Sequence, residues 1–78
     1  MAWVTNFEIR DGSGRRQPSN VIGVVRRFEQ PDGETVIQID THGSEDRANP
    51  GKQSQTLQLG RDAAKQLFDL LKRRYAFV

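Results

Sequence analysis

The sequence predicts an α+β domain in which four antiparallel strands are followed by one C-terminal helix, in the order ββββα. Three observations predict it. Several short segments alternate apolar and polar residues with period two, stretches rich in glycine, proline and polar residues separate them, and the last part of the chain changes to helical spacing.

The first strand is read over residues 3–10. Trp3, Thr5, Phe7 and Ile9 point one way, and Val4, Asn6, Glu8 and Arg10 point the other. Residues 11–19 are a loop, with Gly12, Gly14 and Pro18 for turn geometry and Arg15 and Arg16 at its tip. The second strand, 20–30, is rich in β-branched residues and carries apolar side chains on both faces, so its register is open. Gly23 within it suggests a bulge, a bend or a close backbone approach. Gln30-Pro31-Asp32-Gly33 reads as a tight hairpin turn: proline presets φ, aspartate bonds nearby backbone, and glycine accepts φ > 0.

The third strand, 34–41, places Thr35, Ile37, Ile39 and Thr41 on one face and Val36, Gln38 and Asp40 on the other. Residues 42–53 form the longest polar stretch, a candidate binding loop. The fourth strand, 54–59, puts Gln55, Leu57 and Leu59 on one face. Gly60 breaks it, and Ala64, Leu67, Phe68, Leu71 and Tyr75 then recur at helical spacing over 61–75. Asp62 near the start and Lys72, Arg73 and Arg74 near the end suit the helix dipole.

One face of the sheet collects Trp3, Phe7, Ile9, Ile37, Ile39, Leu57 and Leu59, and a single helix must cover it. One helix covers four strands poorly. A chain of 78 residues has a thin core, and with no cysteine and one histidine it has no disulfide and no evident metal to support it. Oligomerisation is left, so a homodimer is expected, with Leu67, Phe68, Leu71 and Tyr75 at its interface.

Composition bounds the function. Formal net charge is +2, and nine of the twelve basic residues are arginines, whose planar fork pairs with phosphate and stacks on flat rings. No apolar run is long enough for a membrane span, no leader pattern opens the chain, and a cysteine-free sequence fits a reducing compartment. The expected location is cytoplasmic, with nucleoid association if the protein binds DNA. No Walker, Rossmann or zinc motif is present. His42 with Asp40 and Ser44 makes no triad by sequence adjacency alone, and His42 with Asp40, Glu45 and Asp46 is at most a weak divalent-ion site, since a real one needs converging ligands and a second shell. The expectation is a non-enzymatic domain with no cofactor and no small-molecule substrate.

The stretch Ser54-Gln55-Thr56-Leu57-Gln58-Leu59 runs straight into Gly60-Arg61-Asp62-Ala63-Ala64-Lys65-Gln66-Leu67-Phe68-Asp69-Leu70-Leu71 and closes on Arg74-Tyr75. It resembles the Pur-alpha repeat, where a strand ending Ser-x-Leu-x-Leu enters a helix of small residues, then an aromatic and leucines, with a basic-aromatic end. Ile37-Gln38-Ile39-Asp40-Thr41-His42-Gly43, a strand entering a polar loop, is also similar. The element order resembles that of Whirly proteins and of the single-stranded-DNA-binding domain of a eukaryotic transcriptional coactivator. The resemblance implies dimerisation and single-stranded nucleic-acid binding on a curved open sheet face.

On that reading Arg10, Arg15, Arg16, Arg27 and Lys52 neutralise phosphates, and Asn6, Gln38 and Gln58 offer adaptable hydrogen bonds. Arg26 and Arg27 are adjacent in a strand and face opposite ways, with Arg27 favoured on the open side. Trp3 and Phe28, near strand ends, are candidates for base stacking and equally for the core. The alternative is a protein-interaction module. Glu8 and Asp40 on the open face favour it, and the arginines would then serve solubility.

Overall fold

The structure is a computed structural model that describes residues 1–42 and 53–77. Its elements are β1 (Ala2–Val4), β2 (Gly23–Glu29), β3 (Thr35–His42), β4 (Gln53–Leu59) and α1 (Arg61–Tyr75). The four strands form one sheet in the order β1-β4-β3-β2. The class is α+β, as the sequence predicts, with the helix last.

The sheet is mixed and not wholly antiparallel. β2 pairs with β3 and β3 with β4 in antiparallel fashion, but β1 pairs with β4 in parallel. The first strand is also three residues long where the alternation predicts eight. Beyond Val4 the chain leaves the sheet and runs beside the helix. There the Phe7 N–H donates to Gln66 Oε1 at 2.8 Å, and Gln66 Nε2 donates to the Phe7 carbonyl at 3.1 Å. One helix side chain thus satisfies backbone groups that a strand neighbour would otherwise take. Phe7 and Ile9 line a groove with Leu67 and Leu70. The period-two pattern therefore reflects an extended segment lying on a helix.

The β2–β3 turn forms as its residues dictate. Gly33 N–H donates to the Gln30 carbonyl and Gln30 N–H to the Glu34 carbonyl, both at 2.8 Å. Asp32 Oδ1 accepts from Glu34 N–H at 2.9 Å. Gly33 has φ 89°, a conformation that favours glycine.

Cross-strand register assigns the faces. Val25, Ile39, Leu57 and Ala2 lie opposite one another in one row, and Arg27, Ile37, Leu59 and Val4 in the next. Both rows belong to the helix side, where Ile37 and Leu59 line a groove with Ala64 and Phe68. Leu59 and Ala63 are buried there. β2 has more apolar surface than the helix covers, and Val25 stays 67% exposed. Arg27, expected on the open face, shares the helix-side face, because β2 pairs so that Arg26 is the residue opposite Gln38.

The helix starts at Gly60 with no side-chain cap and carries Asp62 in its first turn and Lys72, Arg73 and Arg74 in its last. Lys65 and Asp69 pair along it at 3.1 Å. It ends with Ala76 at φ 55°, which returns the Phe77 N–H to the Lys72 carbonyl at 3.1 Å and stacks the rings of Tyr75 and Phe77 at 5.5 Å.

Candidate nucleic-acid interface

The face away from the helix carries a single transverse row. Trp3 of β1 lies opposite Gln58 of β4, Gln58 opposite Gln38 of β3, and Gln38 opposite Arg26 of β2. Strand spacing makes this row about 14 Å long. One aromatic ring stands at one end, one guanidinium at the other, and two amides lie between.

The register of β1, with Trp3 opposite Gln58, sets Trp3 in this row. The sequence places Trp3 on the helix-covered face with Phe7 and Ile9; the register puts it on the opposite one. The Trp3 indole rests against the backbone at the β4–α1 junction, where a β-carbon at Gly60 would lie 2.9 Å from its Cη2. Trp3 is 43% exposed.

Hydrogen bonds order the polar part of the row. Gln58 Nε2 donates to Gln38 Oε1 at 2.8 Å. Gln38 Nε2 donates to Asp40 Oδ1 at 3.1 Å, and Thr56 Oγ1 donates to the same oxygen at 2.8 Å. Arg26 Nε donates to Asp40 Oδ2 at 2.9 Å. Asp40 has no exposed surface, and the Arg26 side chain is 56% exposed. The Arg26 hydrogen bond, aided by those from Thr56 and Gln38, holds the Asp40 carboxyl below the ordinary carboxylate value while burial opposes the shift. Asp40 is thus an ionised, enclosed acceptor beneath a polar surface.

Phe28 lies on this face opposite buried Val36 and is itself half-buried, so part of its surface is packing. Asn6 lies outside the sheet, because the strand ends at Val4. Arg10 pairs with Glu8 at 2.6 Å and lines a groove with Leu70 and Arg74 at the helix end, away from the row. Arg15 and Arg16 are exposed in a segment without regular structure. Lys52 lies outside the described residues, as do Ser44, Glu45, Asp46 and Arg47. Of the interface residues expected for a dimer, Phe68, Leu71 and Tyr75 are exposed and Leu67 is half-buried.

Of the residues expected at a binding site, the structure brings Trp3, Gln38 and Gln58 into one row, and it sets Arg26 and Asp40 beside them. An aspartate inside a β-branched strand, between Ile39 and Thr41, was the available signal for Asp40, since such a residue needs partners. Among the described residues no group of three His, Asp or Glu side chains is placed to hold a metal ion, and no helix is long and apolar enough to cross a membrane.

No protein-family model matches this chain, and no curated protein and no solved structure is detectably similar to it.

Proposed function

We propose that this protein binds single-stranded DNA or RNA through the sheet face opposite the helix and does so as a homodimer. The observation that carries the reading is the row Trp3–Gln58–Gln38–Arg26. It sets a stacking ring at one end, a phosphate-pairing guanidinium at the other, both exposed, and two half-buried amides between them; stacking and backbone neutralisation are what bind single strands. Every base has a flat face, so Trp3 accepts any base, and Arg26 pairs with the backbone. Arg15 and Arg16, exposed in an irregular segment, are further candidate phosphate contacts. The resemblance of the β4–α1 junction to the Pur-alpha repeat supports the same reading.

Dimerisation rests on surface. A standard interface takes about 800 Å² from each partner. The helix offers Phe68, 57% exposed, with Leu71 and Tyr75 at helical spacing after it, and Val25 is exposed on the helix-side face of β2. A second copy meeting this apolar strip leaves both polar faces open. Sedimentation of the wild type and of Phe68→Glu tests this: a dimer that becomes monomeric is expected, and a wild-type monomer at tens of micromolar would overturn it.

Binding is tested by fluorescence anisotropy with a labelled single strand of ~16 nucleotides and the matching duplex, across a salt series. Salt-sensitive binding to the single strand over the duplex is expected, with loss of about 1–3 kcal/mol in Trp3→Ala. Absence of binding at low salt sinks the reading and turns attention to a protein partner for the same face.

A further inference from the structure

Asp40 touches no solvent, yet it bonds three of the side chains that form or support the proposed binding row. A carboxylate only accepts hydrogen bonds, so each partner must turn a donor toward it. This dictates geometry at both ends of the network. Arg26 spends its Nε on Asp40, and its two terminal nitrogens have no hydrogen-bond partner among the described residues. Gln38 must offer Nε2 to Asp40, so its Oε1 faces Gln58. Gln58 in turn donates Nε2 to Gln38, which leaves its Oε1 without a hydrogen-bond partner among the described residues, in the residue that lies opposite Trp3. A symmetric amide could lie either way round, but one terminated by a carboxylate cannot.

We infer that Asp40 is the positioning residue of the single-strand site: it gives the row a fixed polarity, with a two-nitrogen donor fork at Arg26 and an acceptor oxygen at Gln58 beside Trp3. The inference rests on the function proposed above and adds to it. Asp40 contacts no ligand. It orders two long, flexible side chains before the ligand arrives, so that less entropy is lost on binding. The anionic partner this arrangement takes is a phosphodiester, which matches the planar fork in two bonds.

Electrostatics alone predicts the opposite. Asp40 is a negative charge beneath a surface that binds a polyanion, so removing the charge would tighten binding if proximity were all that mattered. Asp40→Asn keeps the shape and removes the charge. It also turns an amide N–H or a weaker acceptor toward Arg26 and releases the polarity of both glutamines.

The test is a double-mutant cycle with the ~16-nucleotide single strand, using wild type, Asp40→Asn, Arg26→Gln and the double variant, with circular dichroism as a control for folding. Arg26→Gln is expected to weaken binding about tenfold and to reduce the slope of log K against log salt by about 0.7, the value of one phosphate contact on a single strand. Asp40→Asn is expected to weaken binding severalfold despite the gain in net positive charge. In the Arg26→Gln background it should do little more, since the main group it positions is gone.

Tighter or unchanged binding in Asp40→Asn overturns the inference while leaving single-strand binding intact. Failure of the wild type to bind overturns the functional reading itself. If Asp40→Asn does not fold, Arg26→Lys decides: lysine keeps the charge but cannot hold Asp40 with one edge and present a fork with the other. A tenfold loss supports the arrangement, and wild-type affinity and salt slope overturn it.

Discussion

Trp3 and Gly60 share one space: a β-carbon at position 60 would lie 2.9 Å from Trp3 Cη2, 3.0 Å from Cζ2 and 3.2 Å from Glu34 Oε1. Gly60 has an ordinary extended backbone, with φ −88° and ψ −173°, so proximity and not conformation demands glycine there. Gly60→Ala is expected to cost about 1–3 kcal/mol, the usual range for an added methyl that must displace its neighbours. Trp3 is the one tryptophan of the chain, so its emission reports the displacement directly. Unchanged emission and stability would show that the indole does not rest on this junction.

That contact also explains what the sequence could and could not reveal. The Gln30–Glu34 turn and the helix over 61–75 were legible, because each is written in neighbouring residues. The first strand was not. Phe7 and Ile9 alternate correctly, but the groups that satisfy the Phe7 backbone come from Gln66, 59 positions away. No local pattern separates an extended segment on a helix from a strand in a sheet.

The transverse row was half legible for a related reason. Gln38 and Gln58 face outward by simple alternation from Ile37, Ile39, Leu57 and Leu59. The choice between Arg26 and Arg27 depended on the register of β2, and Val24 and Val25 supply apolar residues to both faces. What fixes the register is visible only in the fold: Arg26 meets Asp40, and Arg27 lies opposite Ile37.

Asp40 also makes stability depend on acidity. Its folded pKa lies below the ordinary value of 3.8, so between the two the unfolded chain binds the extra proton. The stabilisation is fully present above 3.8 and is lost as pH falls through the folded value. Thermal unfolding followed between pH 7 and pH 2 should show a falling melting temperature in the acid part of that range. Asp40→Asn should melt lower than wild type at neutral pH and show a shallower acid decline. Parallel acid curves for the two proteins would show that other carboxylates carry the effect.

The helix terminus predicts a gain. Ala76 is the one non-glycine residue with positive φ among the described residues, at 55°. Its β-carbon strains that conformation, but the turn needs it to bring the Phe77 N–H to the Lys72 carbonyl. Ala76→Gly relieves the strain at some cost in unfolded-state entropy. The net expected effect is stabilisation of about 0.5–1 kcal/mol by denaturant unfolding, with an unaltered slope. A loss of stability would show that the left-handed cap is not maintained in solution.

Gln66 holds the chain that follows β1. Its amide both accepts from the Phe7 N–H and donates to the Phe7 carbonyl, so it replaces two ladder bonds at once. Each part-buried bond is worth about 0.5–1.5 kcal/mol net, and Gln66→Ala should therefore destabilise the protein by about 1–3 kcal/mol. The effect should also be local, since it releases residues 5–10 from the helix and leaves the β2–β3–β4 pairing untouched. Trypsin offers a direct reading at Arg10, Arg15 and Arg16, where cleavage should accelerate in the variant. Gln66→Glu separates the two bonds: the carboxylate still accepts from the Phe7 N–H but cannot donate to its carbonyl. It should fall between wild type and Gln66→Ala in both stability and cleavage rate. If all three proteins are cut at the same rate, the segment is held by Phe7 and Ile9 against Leu67 and Leu70 and not by the amide clamp.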